Sequence, residues 1–272
     1  MPKESREEKR SRLIRKSEEE VSQAFSSPDH PIIQAISAYK ELEKIRGMLY
    51  ERMDEWYGIY FPELKTGNPD TYSDIILSVR TREDATEERL SVLGQESRVL
   101  SERIISSGTR PSLGESEYAS LRKMAEAEKE LGSTMEKLDG YLKESVSISM
   151  PNISYLIDHK IAAELLWKAG SLERLASFPA STIQLLGAEK ALFKHLKFGS
   201  KPPKYGVLFK LQQISGAGKK QRGRLARAYA TKISIASRAD AYSKRFIAEK
   251  LKESLDKEVS RIMNQQSKMQ ES

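Results

Sequence analysis

The chain has 272 residues, of which 38% are hydrophobic and 31% are charged, and its 46 Lys and Arg against 39 Asp and Glu give a formal net charge of +7. It contains no Cys, which excludes disulfides, thiol nucleophiles and cysteine metal sites. Because no apolar run approaches the roughly 20 residues of a membrane span and the N-terminus lacks the apolar core of a secretory signal, we expect a cytoplasmic protein.

The first half of the chain predicts a charged leader followed by two long helices. Residues 1–30 mix both charge signs with almost no apolar residues, so we expect a poorly ordered leader. Across 31–61, apolar residues recur three and four positions apart, which predicts a helix. A second stripe runs from Leu121 to Leu142 with heptad-like spacing and one acidic interruption, at Glu128.

An insertion at about 63–115 separates these two stripes. Inside it, the residues after Asp84 and after Ser112 each resemble a capping box that opens a helix. Two long striped helices around an insertion favour an antiparallel coiled-coil arm over 31–150, with the insertion at its tip. A compact helical bundle is the alternative.

The second half of the chain, 151–272, predicts shorter helices. The patterns indicate helices at about 155–169, 172–177 and 180–198, then a basic helix that ends near 237 and a last helix at about 243–264. The stretch 205–209 is predicted to be one short extended piece. Since no pair of strands is evident, the predicted fold class is all-α.

The charge of the chain is concentrated between Gly187 and Ser243. This stretch holds thirteen Lys and Arg residues and only two acids, Glu189 and Asp240. Solvated surfaces normally interleave acids with bases, so a cationic block of this kind is typical of a surface for a polyanion. Arg is suited to phosphate because its guanidinium group donates two parallel hydrogen bonds. Nucleic-acid binding is therefore favoured, and a basic surface for an acidic protein partner is the alternative.

Other motifs in this stretch do not predict catalysis. The run from Gly216 to Lys220 lacks the spacing, and the Ser or Thr, of a nucleotide-binding phosphate loop, and a flexible entry to a cationic helix N-terminus explains it better. Tyr205 suits either base stacking or inward packing. His30, His159 and His195 show no ligand spacing. We predict no catalytic residue, no metal and no cofactor.

Several motifs in order resemble one known family. They are EWY at 55–57, FPEL at 61–64, LERL at 172–175, PASTIQ at 179–184, GAEKALF at 187–193, KPPKYG at 201–206, AR at 226–227 and ASRAD at 236–240. Together these motifs resemble the Nop domain. This is the snoRNA-binding domain of box C/D ribonucleoprotein scaffolds, including archaeal ones, which serve in rRNA 2′-O-methylation, and of a related pre-mRNA splicing factor.

The resemblance implies an all-α protein with a coiled-coil arm over 31–150, a Nop domain over 151–272 and no enzymatic activity. It implies recognition of a kink-turn RNA together with a small, ribosomal-protein-like factor bound to that kink. The residues that match the factor-facing helix are Gly187, Ala188, Glu189, Lys190, Phe193 and Lys194. The residues that match the RNA-facing elements are Lys197, Lys201, Lys204, Lys219, Lys220, Arg222, Arg224, Arg227, Lys232 and Arg238.

The resemblance also implies partners. The family's arm pairs two scaffold subunits, so we expect a homodimer through the coiled coil. Archaeal members hold the methyltransferase fibrillarin through a separate N-terminal domain, whereas only the charged leader precedes the arm in this sequence. We therefore expect no recruitment of fibrillarin.

Overall fold

The computed structural model describes residues 6–25, 27–107 and 111–270, and within these ranges it contains α-helices and no β-strand. The predicted all-α class is confirmed. The helices are α1 (Arg6–Phe25), α2 (Asp29–Tyr57), α3 (Pro69–Ser78), α4 (Ser97–Ser106), α5 (Glu115–Ser149), α6 (Pro151–Leu156), α7 (His159–Ala169), α8 (Leu172–Ser177), α9 (Ala180–Leu185), α10 (Glu189–Phe198), α11 (Gln212–Ser215), α12 (Arg222–Arg238) and α13 (Ala248–Gln270). Short 3₁₀ turns lie at Ser91–Glu96 and Val207–Lys210, and a π turn lies at Ala239–Ser243.

The chain divides into two compact units. The central unit is Ala38–Gly140, and the terminal unit combines the residues up to Ser37 with those from Tyr141 onward. The helices α2 and α5 contribute residues to both units. The central unit lies inside the predicted arm of 31–150, and the coiled-coil character of that stretch stays a prediction.

The charged leader is helical over the residues that the structure describes, and its poor order stays a prediction. Helix α1 covers Arg6–Phe25, and the side chains from Arg6 to Glu18 are exposed to solvent. Residues with good helix propensity dominate this stretch, which explains helix formation without an apolar face to bury. Residues 1–5 of the predicted leader lie outside the described part.

In the central unit, α2 and α5 pair in antiparallel directions around a buried charge. The Glu128 side chain on α5 is fully buried and accepts a hydrogen bond from Arg46 Nε of α2 at 2.8 Å. Its second oxygen accepts from Ser73 Oγ of α3 at 2.8 Å. The acidic interruption of the stripe is therefore an internal ion pair that joins three helices.

The residues of the insertion form a small hydrophobic core together with the end of α2. Tyr57 stacks on Phe61 with ring centroids 4.5 Å apart, and its hydroxyl donates to Val79 O at 2.9 Å. Arg82 donates to the carbonyls of Tyr60 and Ile104 and to Glu63, so it joins the end of α2 to α4. The largest fully buried side chains of this core include Tyr57, Phe61, Leu64, Tyr72, Ile75, Ile76, Leu90, Ile104 and Leu121.

Both predicted capping boxes are wrong in detail. The Asp84 carboxylate accepts from Thr81 N at 3.0 Å and pairs with Arg89, so it closes a turn and opens no helix. The helix of this region, α4, begins only after Gly94, whose φ of 63° interrupts the preceding 3₁₀ turn. Helix α5 begins at Glu115, where the Glu117 side chain, not Ser112, caps the helix by accepting from Gly114 N at 3.0 Å.

In the terminal unit, α12 is the central helix. It packs against α6, α8, α9 and α13, and its inward face buries Leu225, Tyr229 and Ile233. At its end the buried Asp240 carboxylate accepts hydrogen bonds from the backbone N–H groups of Asn152 and Ile153, each at 3.0 Å. Burial raises the pKa of this carboxyl, while those donors oppose the rise. The contact fixes the N-terminus of α6 against the end of α12.

Four predicted elements of the terminal unit differ from the structure, and one of them is the last helix, which begins at Ala248 and not near 243. The predicted helix 155–169 is two helices, α6 and α7, because Asp158 caps α7 by accepting from Lys160 N at 2.9 Å. The predicted helix 180–198 breaks into α9 and α10 at Gly187, which has a φ of 90°. The predicted extended piece 205–209 overlaps a 3₁₀ turn instead.

The seam expected to dimerise is partly covered within the chain. Leu121, Met135 and Leu142 of α5 are buried, whereas Met124, Leu131 and Leu138 of the same stripe are partly exposed. The homodimer stays a prediction. Within the described residues, no helix combines the length and apolar content needed to cross a membrane.

Candidate nucleic-acid interface

The loop that carries Lys201 and Lys204 is clamped to the link between α9 and α10. Gly206 N donates to Gln184 O at 2.9 Å, and Val207 N donates to Leu186 O at 2.8 Å. Gln184 Nε2 also donates to Lys204 O at 2.7 Å. These bonds hold the cationic loop beside the start of α10.

Two glycines make this close approach feasible. A Cβ on Gly206 would lie 2.0 Å from Leu186 O, and one on Gly187 would lie 2.6 Å from Val207 Cγ2. Real Cβ atoms do not approach other atoms so closely. Gly187 and Gly206 therefore allow the hydrogen bonds, here called the clamp, that join Gly206 and Val207 to Gln184 and Leu186.

The loop also reaches the entry of α12. A Cβ built on Gly223 would lie 3.7 Å from the Lys204 side chain, so the Lys204 stem runs along the first turn of that helix. The exposed Lys219 and Lys220 stand in the turn just before it, and Arg224 and Arg227 are exposed on its first two turns. The structure thus brings together five of the predicted RNA-binding residues.

Arg222 belongs to the framework of this region. Its Nε donates to Ala217 O at 2.8 Å, and its Nη2 donates to Ser215 O at 2.9 Å. The guanidinium carbon lies 5.4 Å from the centre of the Phe209 ring, and Tyr205 stacks on that ring at 4.7 Å. Arg222 therefore ties the α11–α12 loop to a stacked pair of rings, and its contact with RNA stays a prediction.

The remaining predicted cations are spread more widely. Lys197 lies over the rings of Phe193 and Phe198, at 5.7 Å and 5.4 Å from their centres. Lys232 donates to Ser254 Oγ of α13 at 2.8 Å, and Arg238 Nε donates to Ala176 O at 3.3 Å. Lys201 is exposed on the clamped loop. Lys232 and Arg238 lie along α12, away from the cluster at its start.

Helix α10 has no buried residue and exposes several apolar side chains. Phe193, Leu196 and Phe198 are 62%, 75% and 67% exposed. Leu196 and Phe198 were not predicted, because apolar residues in a helical pattern are usually assigned to a core. Lys190 and Lys194 lie on the same exposed helix. Large exposed apolar side chains of this kind indicate a surface that contacts another molecule.

Both acids of the cationic stretch are used inside the fold. Glu189 Oε1 accepts from Gly187 N at 2.6 Å, at the start of α10, where a negative charge is favoured by the helix dipole. Ala188 N donates to Leu185 O at 2.8 Å and completes this turn. Asp240 is 1% exposed. Glu189 was predicted to face a protein partner; its side chain is exposed while it accepts this bond, and the partner contact stays a prediction.

The family model for Nop, described as "snoRNA binding domain, fibrillarin", matches residues 38–262. The chain belongs to the Nop family. The resemblance drawn from the sequence motifs is confirmed.

Relatives of this Nop family chain are found in archaea and eukaryotes. It is 38% identical over 239 residues to an uncharacterised NOP5 family protein of Methanocaldococcus jannaschii, covering 86% of this chain and 57% of that protein. It is 36% identical over 227 residues to nucleolar protein 56 of Caenorhabditis elegans, covering 79% and 46% of the two. The chain thus spans about half the length of these relatives.

A solved structure shares the fold. The crystal structure of a fibrillarin/Nop5p complex aligns with a TM-score of 0.53 at 23% identity, covering 93% of this chain and 78% of that chain. That protein was solved in complex with fibrillarin. The likeness shows the fold alone, and the expectation that this chain does not recruit fibrillarin stays a prediction.

Proposed function

We propose that this protein is a non-enzymatic RNA-binding scaffold of a ribonucleoprotein, which recognises a kink-turn RNA together with the protein bound to that kink. Membership of the Nop family supports the scaffold role. The observation that carries the RNA-binding part is the cationic surface around the entry of α12.

This surface suits a phosphate backbone. Exposed cations from a loop, a turn and a helix converge there, while Glu189 and Asp240 are bonded internally. Helix α12 also directs its N-terminus at this place, where the positive end of the helix dipole favours an anion. A polyanion therefore meets concentrated positive charge, with one exposed carboxylate of the same stretch, that of Glu189, at the start of α10.

The exposed helix α10 supports composite recognition. Its apolar side chains Phe193, Leu196 and Phe198 suit contact with a protein, whereas the adjoining loop with Lys201 and Lys204 suits RNA. The clamp between Gly206 and Gln184 fixes these two surfaces side by side. A partner made of protein and RNA would contact both at once.

A gel-shift comparison tests the composite surface. The purified chain is titrated into a kink-turn RNA alone and into the same RNA bound to its kink-turn protein. We expect at least tenfold tighter binding to the complex, which is about 1.4 kcal/mol of coupling. Equal affinity for the two would contradict composite recognition.

Charge reversal tests the RNA surface. Arg224→Glu with Arg227→Glu should weaken RNA binding in the gel shift sharply while circular dichroism shows an unchanged helix content. Lys250→Glu with Lys257→Glu makes the same charge change on exposed residues of α13 and is the matched control. Lys204→Ala should cost about 1 kcal/mol as the loss of one charged contact. Normal binding by the Arg224→Glu/Arg227→Glu variant would favour a basic surface for a protein partner instead.

A further inference from the structure

The exposed side chains of α12 lie on one continuous line. They are Arg224, Arg227, Thr231, Ile235 and Arg238, and the next exposed residue in the same spacing is Tyr242 in the π turn. Residues three and four apart share one face of a helix, so this line runs about 25 Å along the unit. It carries three arginines and no acid.

The far end of this line exposes two aromatic rings between cations. Tyr242 is 63% exposed and Phe246 is 55% exposed. Lys244 and Arg245 stand between them and are also exposed. Asp240 is the one acid between Arg238 and Ala248, and its carboxylate is turned inward to Asn152 and Ile153. The outer surface of this segment is therefore aromatic and positively charged, and the exposed Glu173 of α8 lines one pocket with Lys244 beside it.

The backbone that carries these rings is fixed. Lys244 N donates to Ala239 O at 2.8 Å and closes the π turn. The Asn152 side chain donates to Arg245 O at 2.9 Å and accepts from Ile247 N at 2.7 Å. The Phe246 ring meets Tyr155 edge to face at 5.7 Å. Because the backbone of this segment is already ordered before a ligand binds, binding at this surface costs little conformational entropy.

We propose that the end of α12, formed by Arg238, Tyr242, Arg245 and Phe246, is a second nucleic-acid contact that binds a single-stranded segment. It rests on the proposed function, because this segment continues from the RNA held at the start of α12. Arginines bind the phosphates, and exposed aromatic rings stack on unpaired bases. Arginines at both ends of the exposed line, with no acid on it, favour RNA over a protein at this site.

Binding to extended RNAs tests this proposal. The kink-turn RNA with its bound protein is compared with versions that carry ten uridines at the 5′ end or at the 3′ end. We expect one extension to tighten binding of the unaltered chain about tenfold, since stacking of one base is worth a factor of this order. The Tyr242→Ala/Phe246→Ala variant should bind extended and unextended RNA equally well.

Control variants distinguish the loss of a stacking ring from a loss of folding. Tyr242→Phe keeps the ring and should keep the gain from the extension. Tyr141→Ala removes an exposed tyrosine that is not on the line and should also keep it. Circular dichroism should show all variants equally helical.

Three outcomes would overturn the proposal. The first is that neither extension tightens binding of the unaltered chain. The second is that the Tyr242→Ala/Phe246→Ala variant keeps the full gain in affinity. The last is that the unaltered chain binds none of the RNAs. Only the last also defeats the proposed function. If Arg224→Glu/Arg227→Glu loses all the RNAs while the extensions have no effect, the proposed function stands and the second contact fails.

Discussion

Neighbouring arginines at the start of α12 differ in what removal of the side chain should cost. Arg222 donates to the carbonyls of Ala217 and Ser215, whereas Arg227 is exposed. We expect Arg222→Ala to lower the free energy of unfolding by about 1–3 kcal/mol, because two carbonyls lose a charged donor. Arg227→Ala, the matched control, should change it by less than about 0.5 kcal/mol. Thermal denaturation followed by circular dichroism decides this, and equal melting of the two variants would contradict a framework role for Arg222.

A single methyl group at residue 206 should disturb both the fold and the site. Gly206→Ala places a Cβ against Leu186 O, and we expect a loss of about 1–3 kcal/mol of stability as the clamp is forced apart. Gly47→Ala is the control, since a Cβ there meets nothing within 4 Å inside a helix and should stabilise. Chemical denaturation measures both. A Gly206→Ala variant as stable as the unaltered chain would show that the clamp yields easily.

Among the elements, α10 offers the clearest separation of folding from binding. Phe193→Ser with Leu196→Ser alters exposed side chains, so melting should be unchanged. The tighter binding that depends on the kink-turn protein should be lost, while weak binding to free RNA persists. Val99→Ser with Ile105→Ser on α4 makes a similar exposed change in the central unit and should leave the gel shifts unaltered. Retention of the protein-dependent gain by the α10 variant would exclude this helix as the contact.

The pairing of α2 with α5 depends on a buried ion pair. Arg46→Met leaves the Glu128 carboxylate buried without its cation and should cost about 3–5 kcal/mol. Adding Glu128→Met should restore most of this loss. Arg52→Met is the control, because its partner Glu55 is exposed and such pairs contribute about 0–1 kcal/mol. Urea denaturation measures the free energy of unfolding of the three variants. A double variant no more stable than Arg46→Met would contradict a buried ion pair between Arg46 and Glu128.

Periodicity in the sequence predicted long elements well and breaks between elements poorly. The stripe across 31–61 became α2, and the prediction for 172–177 matches α8. By contrast, the division at Gly187 depends on a close approach to Val207, twenty residues later in the chain. The turn at Asp84 likewise depends on its pairing with Arg89. Local patterns do not contain these tertiary contacts, so they gave one helix where there are two and a helix where there is a turn.

At the scale of the whole molecule, uneven charge should dominate the response to salt. RNA affinity should fall linearly with salt on logarithmic axes as counterions are released. Arg224→Glu/Arg227→Glu removes two contacts and should flatten that slope by roughly 1.5–2. Filter binding at several salt concentrations measures the slope. The Lys250→Glu/Lys257→Glu control should leave the slope unchanged, and an equal change in both would indicate a general charge effect.

Composition located the candidate surface within the chain, but it did not show which of the cations are exposed and which support the fold. The thirteen bases between Gly187 and Ser243 were evident from the sequence. That Arg222 supports a loop, and that Lys204 lies along Gly223, depends on tertiary packing. The rings of Tyr242 and Phe246 were missed for the same reason, since their exposure follows from how Asn152 holds the backbone.

Glu128 also affects the register in which the apolar stripes of α2 and α5 pair. Apolar stripes with a repeating spacing can pair in several registers that differ by one heptad. A slide of seven residues along α2 would bring Glu128 opposite the buried Met53 in place of Arg46. An unpaired carboxylate in that position costs several kcal/mol. The single acid in the stripe thus selects one alignment of α2 and α5 out of those that hydrophobic contact alone would accept.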